Sequence, residues 1–147
     1  MPIDRAAIDR HDVVAEVSSA FAAYEKALAD EDHAELDRWF WADARVVRFG
    51  ISEMQYGADA IAEWRRRMPP VGHDRALRNT VVTAFGSDFA LVATEFSRPG
   101  SGVVGRQSQT WARLDDGWRI VHAHVSTLPD AEVEWAGSPP ATQEFGA

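Results

Sequence analysis

The sequence predicts an α+β domain in which a curved antiparallel sheet packs on about three N-terminal helices. Three observations predict it. The chain opens with apolar residues at helical spacing, residues 75–98 form two strand-length runs, and Gly105–Leu128, GRQSQTWARLDDGWRIVHAHVSTL, reads as two alternating strands joined at Asp115-Asp116-Gly117. Helices first and long strands afterwards pack naturally as a helical layer on one face of a sheet.

The elements follow in order. From Asp12 to about Asp30, Val14, Val17, Phe21, Tyr24 and Leu28 fall on one helical face. Asp32-His33-Ala34-Glu35 resembles a capping box that opens a short second helix carrying Leu36, Trp39 and Phe40. Ala44–Gly50, ARVVRFG, reads as a β-branched strand and Ser52–Tyr56 as its return. Gly57–Met68 is a third helix, stopped by Pro69-Pro70. Arg75–Phe85 and Phe89–Arg98 are strands around a turn at Gly86-Ser87-Asp88, and Pro99-Gly100-Ser101-Gly102 loops into the terminal hairpin. We expect residues 1–129 to form the domain and residues 130–147, with Pro139-Pro140, to form an irregular surface tail or partner-binding arm.

Composition removes several classes of function. A chain of 147 residues suits one domain, and 46% hydrophobic with 26% charged residues is ordinary for a soluble protein. There is no cysteine, hence no disulfide, thiolate metal site or cysteine nucleophile. A net charge of −8 without a basic stripe argues against nucleic acid. The charged start, MPIDRAAIDRHD, lacks a signal-peptide core, no run could span a membrane, and we expect a cytoplasmic protein. No Gly-rich phosphate loop is present, and the lone Lys26 is a poor basis for a Ser-Lys amidase. The other basic residues are arginines, and arginine grips carboxylates through two parallel bonds, so a buried one would matter.

The hairpin's turn decides which side chains share a face. A two-residue Asp116-Gly117 turn would pair Trp111, Gln109 and Gln107 with His122, His124 and Ser126. A three-residue loop with Gly117 left-handed pairs Thr110, Ser108 and Arg106 with them instead. The second register gives one apolar face for the helices, and we expect it. Gln107, Gln109 and Trp111 then join Val121, Ala123 and Val125 on the helix side. Buried amides at 107 and 109 need partners, so they either bond within the core or line a cavity. His122 and His124 point the same way, as a metal site would need. No third ligand lies near in sequence, so we expect a satisfied or exposed pair and no metal.

The helix-rich start with GRQSQTW…DDGWRIVHAHVS is similar to the NTF2-like (SnoaL-like) superfamily of cone-shaped α+β domains. Within it, RVVRFGISEMQYGADAIAEWRRRMP (Arg45–Pro69) with GRQSQTW (Gly105–Trp111) resembles the AtzH-like group, which includes the HpxZ proteins of oxalurate catabolism. The similarity spans about Val13 to Pro129, and the RFG-x-x-E and GRQSQTW segments are its specific parts. The superfamily implies a pocket between the concave sheet face and the helices, and a homodimer through the convex face. Gln107, Gln109 and Trp111 would then bind substrate, while Arg106, Ser108, His122 and His124 would meet the partner subunit.

The AtzH-like group implies a cofactor-free decarboxylating amidohydrolase. Its substrates would be 1,3-dicarboxyurea-like or oxalurate-like dianions, giving allophanate-type products. The catalytic residues implied are the first-helix tyrosine, here Tyr24, and the arginine of the RFG strand, here Arg48. The chemistry suits those types: an arginine fork grips a carboxylate, and a phenol supplies the proton that nitrogen needs as carbon dioxide leaves. On the third helix Trp64 could wall the pocket and Arg65 meet a second carboxylate, with Arg66 and Arg67 solvated; Glu53 could orient Arg48. Two other functions compete: an isomerase or cyclase using Glu95 as base, and a non-catalytic assembly partner of a pathway amidase.

Overall fold

The computed structural model describes residues 1–140. Helix α1 (His11–Ala29) buries Val13, Val17, Ala20, Phe21, Tyr24 and Ala27 along one stripe. Phe21, fully buried, contributes about 2–3 kcal/mol from apolar area alone. The helix ends on Glu31 in the left-handed conformation (φ 54°), a place where glycine is usual. In α2 (His33–Trp39) the expected capping box forms only in half. Asp32 Oδ1 accepts from the Glu35 amide at 3.1 Å, while the Glu35 carboxylate turns away to Arg38. Helix α3 (Ala58–Arg67) starts after Gly57 (φ 97°) and stops before Pro69.

Six strands form one sheet in the order β2-β1-β6-β5-β4-β3. They are β1 (Val47–Phe49), β2 (Met54–Tyr56), β3 (Ala76–Phe85), β4 (Phe89–Ser97), β5 (Val103–Leu114) and β6 (Gly117–Pro129). All neighbours are antiparallel except β1 and β6, whose parallel pairing sets Arg48 opposite Ala123. Strand β1 is therefore shorter than the expected Ala44–Gly50, and the sheet is mixed. The helices cover the concave face, where Trp111, Ile120, Leu36, Ile61 and Val46 are essentially inaccessible. Ahead of α1 a short 3-10 turn (Arg5–Ala7) carries Ile8 to a bridge with Phe85, so the chain start covers the β3 edge.

The terminal hairpin reaches the expected pairing by another route. Its turn is Asp115-Asp116, with Leu114 opposite Gly117, one residue tighter than the expected loop. The register then shifts between Thr110 and Trp111, leaving Val121 as the extra residue of a bulge. Beyond it Thr110, Ser108 and Arg106 pair with His122, His124 and Ser126, as expected. The bulge puts Ile120, not Val121, beside Trp111 on the core face. The described part of the tail is not wholly irregular: Asp130–Glu132 form a 3-10 turn, and Trp135 lies 5.4 Å from the Arg78 guanidinium. Residues 141–147 of the expected tail lie outside the described residues.

Candidate functional site

Between the helical layer and the concave face lies a cavity of about 370 Å³ whose wall includes Tyr24, Arg48, Glu53, Trp64, Arg65 and Gln107. The β1–β2 hairpin delivers Arg48. Its four-residue loop, Gly50 to Glu53, folds back so that Arg48 Nη1 donates to Glu53 Oε1 at 3.0 Å and to Gln55 Oε1 at 3.1 Å. Its guanidinium lies 4.1 Å from the Trp64 ring centroid, so α3 supplies a flat platform worth about 1–2 kcal/mol when desolvated. Arg48 is thus fixed by Glu53, Gln55 and Trp64, while Nε and Nη2 have no acceptor among the described residues. Burial works to raise the Glu53 carboxyl's pKa. The hydrogen bonds from Arg48 and Ser52 and the Arg48 charge outweigh it and hold the group below the ordinary glutamate value.

Tyr24 reaches the cavity from the middle of α1. Its ring packs edge-on against Phe40 at 6.2 Å and is 5% exposed, yet its hydroxyl bonds to none of the described residues. A core tyrosine would hand that hydroxyl to a backbone carbonyl; this one presents it to the cavity. Arg65 is buried and donates to Asp37 Oδ1 at 2.9 Å, with its guanidinium 5.2 Å from Phe40. Arg66 reaches the other oxygen of the same carboxylate, so this pair ties α3 to α2, and Arg66 and Arg67 are exposed as expected.

Two expected wall residues lie elsewhere. Gln109 and Trp111 are buried in the core above the cavity, where the Trp111 indole donates to Gln109 Oε1 at 3.0 Å and its ring meets Trp39. The indole N–H and Gln109 Oε1 satisfy each other, the core alternative for Gln109. Gln107, two residues on, takes the other alternative and stands on the wall. His122 and His124 lie on the convex face against Phe49, and Glu95 faces the same way, accepting from Arg78 and Asn79. Glu95 is therefore not a pocket base. Among the described residues no three His, Cys, Asp or Glu side chains converge as a metal site would require, and no helix is long and apolar enough to cross a membrane.

Sequence reading missed a buried triangle beside the cavity, with Arg75 and Gln107 in its lining and Glu25 behind them. Arg75 Nη1 donates to Glu25 Oε2, Arg75 Nη2 to Gln107 Oε1 at 3.3 Å, and Gln107 Nε2 to Glu25 Oε1 at 3.2 Å. Burial pushes the Glu25 carboxyl's pKa up, and the Arg75 charge only partly offsets this. Arg75 read only as the first residue of a strand, and Glu25 lies beside the apolar stripe of α1 without belonging to it. The one available signal was Gln107, a buried amide in need of partners.

The AtzH-like family model matches residues 6–131 of this chain. Among solved structures, a protein with unknown function from Pectobacterium atrosepticum SCRI1043 is 48% identical, with 86% of this chain and 99% of that chain covered and a TM-score of 0.84. A cystatin-like fold protein from Burkholderia xenovorans LB400 is 46% identical, covering 86% and 98%, with a TM-score of 0.82. A more distant NTF2-like protein from Pseudomonas putida KT2440, 18% identical over 85% and 89% at a TM-score of 0.66, shares the fold. No curated protein matches the chain.

Proposed function

This chain belongs to the AtzH-like family, and on that premise we propose that it is a cofactor-free decarboxylase or decarboxylating amidohydrolase of small carboxylated ureas, acting through Tyr24 and Arg48. The observation that carries the reading is the meeting of two unspent groups on one cavity wall. They are a stacked, anchored arginine with spare donors and a buried tyrosine hydroxyl with no protein partner.

The chemistry can be followed atom by atom for 1,3-dicarboxyurea. Arg48 binds one terminal carboxylate as a bidentate acceptor, an interaction stronger in this enclosed site than at a surface. At the reacting end the C–N bond to the N-carboxylate breaks, its electron pair passes to nitrogen, and carbon dioxide leaves. Nitrogen takes the proton of the Tyr24 hydroxyl, and solvent restores the phenol. A dianion plus one proton thus gives the allophanate monoanion and carbon dioxide. Positioning and the proton together account for the catalysis asked of the site. Trp64 holds Arg48, and Glu53 fixes its rotamer.

The convex face serves in this reading as a homodimer interface, since Met54, Tyr56, Phe89 and Leu91 are exposed there with no cover among the described residues. The reaction is tested by mixing the protein with 1,3-dicarboxyurea under pH-stat control. With released carbon dioxide swept out as it forms, the expected result is one carbon dioxide released and one proton taken up per allophanate formed, with no metal or cofactor added. Ammonia as the first product, or no turnover, would contradict it.

A further inference from the structure

Arg75 is a buried guanidinium on the cavity wall that the proposed chemistry leaves without a task. Its side chain is 8% exposed, and both Arg75 and Gln107 line the cavity, whereas Glu25 is not part of the wall. The arginine is therefore presented inward with its carboxylate behind it. We propose that Arg75 is a second anion-binding pole, standing across the cavity from Arg48, and that the two together select small linear dianions over monoanions. This rests on the reading of the cavity as a carboxylate site.

Three elements combine to hold Arg75 in place. Glu25 from α1 and Gln107 from β5 take its two terminal nitrogens and bond each other, so the guanidinium cannot rotate without breaking the triangle. The guanidinium carbon lies 4.5 Å from the ring centroid of Phe96 on β4. Phe96 can lie there because its cross-strand partner is Gly105; a Cβ at that position would fall 2.2 Å from the ring. The glycine and glutamine of the GRQSQTW segment thus serve Arg75, one through the ring beside it and one directly. Its Nε has no acceptor among the described residues.

The placement matches a two-ended ligand. Arg48 stands on β1 and Gln107 on β5, with only β6 between them. The backbone columns of Arg48 and of Gln107, to which Arg75 is bonded, are two strand spacings apart, roughly 10 Å, and both arginines line the one cavity, an arrangement that suits a short dicarboxylate gripped at both ends. Arg65, the sequence-based candidate for the second carboxylate, differs. Its Asp37 also receives Arg66, and Arg65 opens onto a second depression outside the helices as well.

Calorimetry at pH 7 with succinate and with its monoamide, succinamate, separates the two poles. The wild type is expected to prefer succinate at least tenfold. Arg75→Gln should lose that preference while keeping succinamate affinity within about threefold, whereas Arg48→Gln should weaken both ligands. Because Arg75→Gln leaves Glu25 alone in a buried site, the double variant Glu25→Gln/Arg75→Gln, which removes both charges, should show the same loss with a cooperative melt. A preference that survives in both variants, or that Arg65→Gln abolishes instead, overturns the assignment, as does a wild type that binds neither ligand. A wild type that shows the Arg75-dependent preference but does not decarboxylate 1,3-dicarboxyurea fails the proposed reaction alone.

Discussion

Gly50 shows how tightly the residues around Arg48 are specified. A Cβ built there would lie 1.8 Å from Glu53 Oε1 and 2.7 Å from Arg48 Nη1, so any side chain at this position evicts the ion pair. The backbone itself tolerates alanine, because Gly50 is not among the residues with positive φ. The obstructing atoms are ends of flexible side chains, so the fold can yield at small cost while the guanidinium loses its anchor. Gly50→Ala should therefore lower kcat/KM for 1,3-dicarboxyurea tenfold to a hundredfold. That is the effect of losing one charged hydrogen bond, about 1.5–3 kcal/mol. The melting temperature should fall by no more than a few degrees. Steady-state kinetics beside a thermal melt checks this, and unchanged kcat/KM would show that the Arg48–Glu53 geometry is irrelevant to turnover.

At the scale of elements, legibility in the sequence followed distance along the chain. Helices α1 and α3 and strands β3 to β6 could be read because their periodicities are local, as when Val17, Phe21 and Tyr24 recur on one face. The hairpin's inner pairing was also legible, since only one register gives an apolar face. Its tighter turn and the Val121 bulge were not, because both reach the same inner pairing and local pattern cannot separate them. The parallel β1–β6 contact joins segments about 75 residues apart and has no local signature. The same holds for the site. The place of Tyr24 and Arg48 on the cavity wall was expected from motif resemblance, and that of Trp64 from helical spacing. Glu25 and Arg75, 50 residues apart, and Glu25 and Gln107, 82 apart, meet only once the sheet has curved under α1. Gln109 and Trp111 shared a face with Gln107 but sit deeper, and alternation reports the face, not the depth.

For the whole molecule, the two faces of the sheet divide the work. The concave face, with its helices, encloses the cavity and its arginines. The convex face carries Tyr56, Met54, Phe49, Leu91 and Phe89 among His122, His124 and Arg106, an apolar patch on a chain of net charge −8. Exposed aromatic and aliphatic rows of this kind fit burial against a second copy. Sedimentation equilibrium at micromolar concentration should give twice 16.3 kDa, and Tyr56→Glu with Leu91→Glu should give the single mass with the melt retained. A monomeric wild type would remove the dimer from the account.

If Tyr24 supplies the proton and Arg48 holds the substrate within one cavity, substitutions at the two positions must separate kcat from KM. With 1,3-dicarboxyurea, Tyr24→Phe should lower kcat at least a hundredfold with KM within threefold of wild type, while Arg48→Ala should raise KM at least tenfold. Wild-type kcat in Tyr24→Phe, or wild-type KM in Arg48→Ala, in protein that melts normally would contradict these roles.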